Sequence, residues 1–270
     1  MVLGTSSRTA WDGVTGIQPV TTCGTLNGIS VERTSLDVAV SAFIQAVSDG
    51  APAQAYRLVN SYTFALADTD PAYRALLKQS GVNLPDGKPL VMALNRLDPG
   101  RQAFGQVRGP SFFAKCLDEG RAHDVRHLFL GGSVELLASL KDVVDRRYPG
   151  TQIVGMISPP FRPPTGTERA HQDSVIKASG AHVVWVGLGT PKQDFEAQRV
   201  CDECGITTAA VGAAFDFVAG TKPEAPIWMR RLSLEWVFRF LTEPRRLWRR
   251  YLFGNTRFLV LVLREALGRR

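Results

Sequence analysis

Three groups of residues in this 270-residue chain have the types and spacing to do chemistry. The first is a pair of glycine loops, Gly131-Gly132-Ser133 and Gly187-Leu188-Gly189-Thr190, the latter running on into Pro191-Lys192-Gln193. Each follows an apolar run and opens a helical pattern. Glycine lets the backbone approach a ligand closely, and a helix N-terminus offers unbonded N–H groups to phosphate. Neither loop has the third glycine of GxGxxG, so a nicotinamide site is not indicated. Singly, each loop reads equally well as a plain turn; two on one rim point to a nucleotide. The second group is Asp86, in Leu84-Pro85-Asp86-Gly87. A carboxylate at a strand end can take the proton of an attacking hydroxyl within reach, or simply turn the chain. The third is the basic, aromatic C-terminus. Residues 221–270 hold twelve Lys or Arg against four Glu, a net of +8 in a chain whose total is +7, and three of its five Trp. Such a tail on a nearly neutral body meets an anionic surface, either membrane headgroups or nucleic acid.

Two other motifs carry less. Asp68-Thr69-Asp70 matches a DxD metal-diphosphate signature, but it lies in a helical pattern and runs into Pro71, which is turn chemistry. Cys201-Asp202-Glu203-Cys204 is a lone CxxC with no second pair, and reads as reduced thiols near a helix end. No metal and no cofactor are expected.

The positioning elements follow from the apolar spacing. Short strands are expected at 56–60, 82–84, 127–130, 152–157, 182–186 and 207–211. Helices are expected at 37–47, across 63–79 with a break at Asp70-Pro71, and at 111–120, 134–148, 168–179 and 194–201. Strands alternating with helices give an α/β fold, a Rossmann-like, mostly parallel sheet with helices on both faces, whose ligands bind at the C-terminal strand ends. Residues 1–28 read as a flexible leader, 29–220 as the catalytic core and 221–270 as a helical C-terminal appendage. The longest apolar run, Phe258–Leu263, falls far short of the ~20 residues a span needs, so membrane contact is expected at the surface, from a cytoplasmic protein.

Six blocks occur in order: Leu84-Pro85-Asp86-Gly87, Leu130-Gly131-Gly132, Arg147-Tyr148-Pro149-Gly150, Gly187 to Gln193, Gly212-Ala213-Ala214-Phe215-Asp216-Phe217, and Glu235-Trp236 through Glu243 to Tyr251. Together they resemble the WecG/TagA/CpsF glycosyltransferases over about residues 29–264. The resemblance implies inverting, metal-independent transfer from a UDP-sugar to a polyprenyl-diphosphate-linked acceptor in bacterial surface or exopolysaccharide biosynthesis. It implies peripheral attachment to the inner face of the plasma membrane and no nucleic-acid partner, and leaves homo-oligomerisation open. Asp86 then matches the catalytic base. Asn60 and Gln193 match pocket residues, Gly131, Gly132, Gly187, Gly189 and Lys192 fall in the substrate loops, and Arg239, Arg246 and Arg249 match arginines that reach the diphosphate. Leu58, Gln106 and Ser111 depart from the family's Thr, Arg and acidic residue, with Arg108 placed to supply the charge absent at Gln106. A catalytically silent membrane-bound assembly partner and a nucleic-acid-binding protein are the competing readings.

If Pro244 lies in the first turn of a helix, Arg246, Arg249, Arg250, Phe253 and Arg257 share one side. Trp248, Tyr251, Leu252, Leu259 and Val262 then form an apolar flank for the interface. On this reading a chain ending at Thr221 stays folded and loses vesicle binding.

Overall fold

A computed structural model describes residues 23–100, 102–226, 228–229 and 235–268; the side chains of residues 235, 239, 245–247 and 249–253 lie outside the described set. Of the leader, residues 1–22 lie outside it too. The apolar runs pair as six parallel strands: β3 (Ala55–Val59), β4 (Val82–Pro85), β5 (Arg126–Gly131), β6 (Gln152–Ile157), β7 (Val183–Gly187) and β8 (Thr207–Ala210), in spatial order β4-β3-β8-β7-β5-β6. All strands run the same way, so every strand C-terminus lies on one rim. The central strands β5, β7 and β8 are buried almost throughout because helices cover both faces.

Alternation along the strands sorts the helices. Phe129, Val183 and Trp185 face a core filled by α1 (Leu36–Ser48), α5 (Gly109–Glu119), α6 (Val134–Arg147) and α9 (Ala214–Val218). Leu128, Leu130, Val184 and Val186 face α7 (Gly166–Ala178) and α8 (Lys192–Cys204). A third cluster joins α2 (Ser61–Ala67), α3 (Pro71–Lys78), α4 (Lys88–Leu97) and a β-hairpin. The hairpin corrects the expected leader: β1 (Cys23–Leu26) pairs antiparallel with β2 (Ile29–Glu32), and Leu26 is fully buried. Its turn, Asn27-Gly28, has φ of 53° and 71°, the two positive values that Asn-Gly favours in a tight hairpin. Helix α4, unassigned in the sequence reading, buries Leu90, Ala93 and Leu94 at helical spacing.

The basic tail forms α10 (Glu235–Thr242) and α11 (Pro244–Gly268), with Pro244 in the first turn as expected. Its second half is part of the body. Phe258 and Leu261 are buried in the hairpin–α2–α4 cluster, with Phe258 edge-on to Phe64 at 6.4 Å. Arg257 Nε bonds Asp68 Oδ2 at 2.7 Å, Ser61 Oγ meets Asn255 Oδ1 at 3.4 Å, and Asn27 N donates to Glu265 Oε2 at 3.3 Å. Two expectations change: Val262 packs inward, and Arg257 faces the body, because α2 offers both an apolar groove and a carboxylate. Leu259, Val260, Leu263 and Leu267 are exposed instead. Among the described residues, no helix is long and apolar enough to cross a membrane.

Candidate active site

The two glycine loops lie side by side. Gly131 and Gly187 end adjacent strands and are register partners. Gly131 has φ of 131°, and a Cβ there would fall 2.5 Å from the Gly187 carbonyl oxygen; only glycine permits this approach. From here α6 leaves to one face of the sheet and α8 to the other. The loops therefore open a crevice at the topological switch point, where doubly wound sheets bind ligands. Ser133 caps α6 by accepting from Leu136 N at 3.2 Å, and Gln193 N and Asp194 N at the start of α8 donate to Gly189 O and Pro191 O at 3.0 Å each. The two helices thus present the positive ends of their dipoles to the crevice mouth.

Gln193, 3% exposed, shapes this crevice from beneath. Its Oε1 accepts from Gly189 N at 3.0 Å, and its backbone N–H donates to Gly189 O at 3.0 Å. It thus acts on the loop, which it closes against the first turn of α8. Lys192, at the first position of that helix, is exposed. On the far side, Ser158 Oγ donates to Gly132 O at 2.8 Å and ties in the proline-rich loop after β6, where Phe161 is displayed at 93% exposure. Sequence reasoning missed both residues; the only signal was the position of their loop at a strand end.

Asp86 and Asn60 occupy the other end of the rim. Val59 and Pro85 are register partners, so the residues after them are neighbours, and Asp86 N donates to Val59 O at 2.7 Å. Asp86 is half-buried, and Gly87, with φ of 92°, packs close to Asn60 Cβ. Asn60 also serves the fold, because its Oδ1 accepts from Tyr62 N at 3.0 Å and Thr63 N at 3.3 Å, capping α2. Arg108 reaches the same edge, because Val107 N donates to Pro85 O at 2.7 Å. Its guanidinium lies over the Phe217 ring at 5.5 Å and meets Glu224 at 3.5 Å, partners on the segment after β8. Leu58, one of the departures, is buried and packs under Gly109 at the start of α5.

Asp86, after β4, and Gly187, on β7, are three strand spacings apart, about 14 Å. Arg239, Arg246 and Arg249 lie on α10 and α11, and their side chains lie outside the described residues. Helix α11 packs along α2 from Gly254, which sits against Tyr62. Residues 244–253 therefore extend about 15 Å past the start of α2, beyond the rim that holds Asn60 and Asp86.

The remaining candidates separate clearly. Asp68 bonds Arg257, and Asp70 Oδ1 accepts from Tyr73 N at 3.0 Å to cap α3, so the DxD carboxylates serve two different contacts. Cys201 and Cys204 are free thiols, and burial pushes Cys201 up to about 11, so it stays protonated. His127 is a core residue: it accepts from Trp185 Nε1 at 3.0 Å, and burial lowers it to about 3.

The sequence profile described as "Glycosyl transferase WecG/TagA/CpsF family" matches residues 25–270. The chain belongs to that family. It is a glycosyltransferase, and the parallel sheet with paired glycine loops is its framework. The "N-acetylglucosaminyldiphosphoundecaprenol N-acetyl-beta-D-mannosaminyltransferase" of Bacillus spizizenii is similar to it, 31% identical over 184 residues, or 68% of each chain.

Proposed function

We propose that this WecG/TagA/CpsF-family enzyme moves a sugar from a UDP-sugar to a polyprenyl-diphosphate-linked acceptor, with inversion and without a metal. The observation that carries the reading is the geometry of the rim. A crevice suited to the uridine end of a nucleotide lies about 14 Å from a strand-end carboxylate, a span that an extended nucleotide sugar covers from its base to its anomeric carbon. The relative's name supports the acceptor class, since it describes transfer to a diphosphoundecaprenol-linked sugar.

In this reading the uridine end lies in the Gly131–Gly187 crevice, and the diphosphate runs from the positive ends of α6 and α8 along the rim toward Asp86. An acceptor hydroxyl attacks the anomeric carbon from the face opposite the diphosphate, forming the new glycosidic bond. Asp86 takes its proton. The anomeric carbon–oxygen bond breaks, its electron pair leaves with UDP, and the helix termini, Lys192 and the arginines of α10 and α11 stabilise the charge. In this reading Arg246 and Arg249, on the overhang of α11, meet the acceptor's own diphosphate. Within residues 221–270, α11 is anchored to the body along one side by Phe258, Leu261 and Val262, while its other side stays exposed as the membrane-facing appendage. The exposed Leu259, Val260, Leu263 and Leu267, with Trp248, enter the interface of an anionic inner leaflet.

A panel of UDP-sugars assayed on a lipid-linked acceptor tests the reaction. Asp86→Asn keeps the shape and removes the basic oxygen, so turnover falls ~10²–10⁴-fold while UDP affinity barely changes. Near-normal turnover in that variant removes Asp86 from the mechanism.

A further inference from the structure

Beneath the rim lies a buried polar chain that the reaction, as described, does not use. Tyr73 on α3 is fully buried, and its hydroxyl donates to Asp194 Oδ2 at 2.6 Å. Asp194 is 3% exposed and directly follows Gln193 in the first turn of α8. The Tyr73 oxygen also meets the hydroxyl of Thr63, which is 1% exposed. Thr63 in turn donates to Asn60 Oδ1 through its backbone N–H at 3.3 Å, and its Oγ1 accepts from Asn60 N at 3.2 Å. The hydrogen bonds therefore run from Asn60 to Thr63 on α2 and from Tyr73 on α3 to Asp194, and the close approach of the Thr63 hydroxyl to the Tyr73 oxygen brings the two pairs together.

The two ends of this chain are the two halves of the site. Asn60 packs beside Gly87 and Asp86, and the first turn of α8 holds the Gly187–Thr190 loop through Gln193. The sheet relates the two halves only through β8, which pairs with β3 on one side and β7 on the other.

The chain ends in a buried carboxylate, and a buried cation lies near it. Arg57, fully buried on β3, bonds Gln198 Oε1 on α8 and donates to Ser80 O at 3.1 Å. Gln198 links onward to Asp202 Oδ1 at 2.8 Å. Burial pushes Asp194 up to about 6, opposed by Tyr73 and Arg57. A hydrophobic cluster of the same volume is often no less stable than such buried charges, so stability alone is a weak reason for them, whereas fixing one arrangement of neighbouring elements is a known use.

We propose that Tyr73 and Asp194 are positioning residues that hold the Asn60–Asp86 half of the site and the glycine loop at the nucleotide crevice in one register. The functional part of this rests on the transfer reading above; the structural coupling does not. Full-length Tyr73→Phe removes one hydroxyl and keeps the ring against Phe195, 5.8 Å away. Amide hydrogen exchange should then rise at least about tenfold in both 60–67 and 187–193, with β5 and β7 unchanged, because a hydrogen bond to a charged group is lost. Asp194→Asn should loosen the same two segments; if that variant does not fold, Tyr73→Phe decides the matter. A rise confined to α3, or one uniform over the chain, overturns the proposal.

With any donor that the native enzyme turns over, Tyr73→Phe should lower kcat with little change in KM. The Tyr73→Phe/Asn60→Ala double variant should lose less than the product of the two single losses. Fully multiplicative losses refute the role in catalysis. Should no donor be turned over, the transfer reading fails while the exchange result still decides the coupling.

Discussion

The second half of α11 should be as necessary to folding as any core helix, and Phe258→Ala measures this. Phe258 is 6% exposed, among Leu26, Ile29, Phe64 and Leu94, and removing a buried Phe ring costs about 3–5 kcal/mol. With a urea slope of ~3 kcal/mol per M, the unfolding midpoint should fall by about 1–1.7 M. Leu259→Ala, one residue on but 58% exposed, should move stability by no more than about 0.5 kcal/mol. Urea unfolding followed by circular dichroism reads both. Leu261 is 4% exposed in the same cluster, and its loss adds a further ~2–5 kcal/mol. The two together approach the ~5–15 kcal/mol that holds a domain folded. A chain ending at Thr221 should therefore be unfolded or sticky, contrary to the expectation from composition. Equal midpoints for Phe258→Ala and Leu259→Ala would refute the anchoring, and a well-folded truncated chain would do the same.

Three further outcomes follow from the site. Activity should survive excess EDTA, since Asp68 and Asp70 are engaged with Arg257 and the α3 cap; loss restored by Mn²⁺ or Mg²⁺ contradicts this. Gly131→Ala should force the crevice apart, weakening UDP binding at least about tenfold in calorimetry, whereas Gly150→Ala, also at positive φ but in open space, should leave UDP binding intact. Equal UDP affinities in the two variants would show that the crevice is not the nucleotide site. Asp194 has its carboxyl raised from 3.8 to about 6, so the folded state holds an extra proton between those values and its stability falls as pH rises through that window. Asp194→Asn lacks this dependence. The difference in unfolding free energy between the native chain and the variant should thus shift by on the order of 3 kcal/mol from pH 4 to pH 7, with the native chain relatively more stable at the acid end. A pH-independent difference would show that Asp194 ionises freely.

Much of the fold was legible because its signals are local. Apolar runs such as His127–Leu130 mark strands buried on both faces, and the break at Asp70-Pro71 separates α2 from α3. Two local signals were present but unread: Asn27-Gly28, which makes the hairpin, and the Leu90–Ala93–Leu94 spacing of α4. Asp86 and the glycine loops were expected on one rim because strand ends in a parallel sheet share it, and the strand order puts them there.

By itself the sequence determined the strand–helix alternation, the glycines that alone allow loops to touch, the charge imbalance of residues 221–270 and the family blocks. These depend on residue type and near neighbours along the chain. Tertiary structure alone decided what each polar side chain is paired with. It joined Asp68 to Arg257 across 189 positions and Tyr73 to Asp194 across 121. It turned Gln193 inward onto its own loop, made Asn60 a helix cap beside Asp86, and made half of the basic tail into core. The reason is physical: burial and hydrogen-bond partners are fixed by the order of strands in the sheet, β4-β3-β8-β7-β5-β6, and that order brings together residues far apart in the chain.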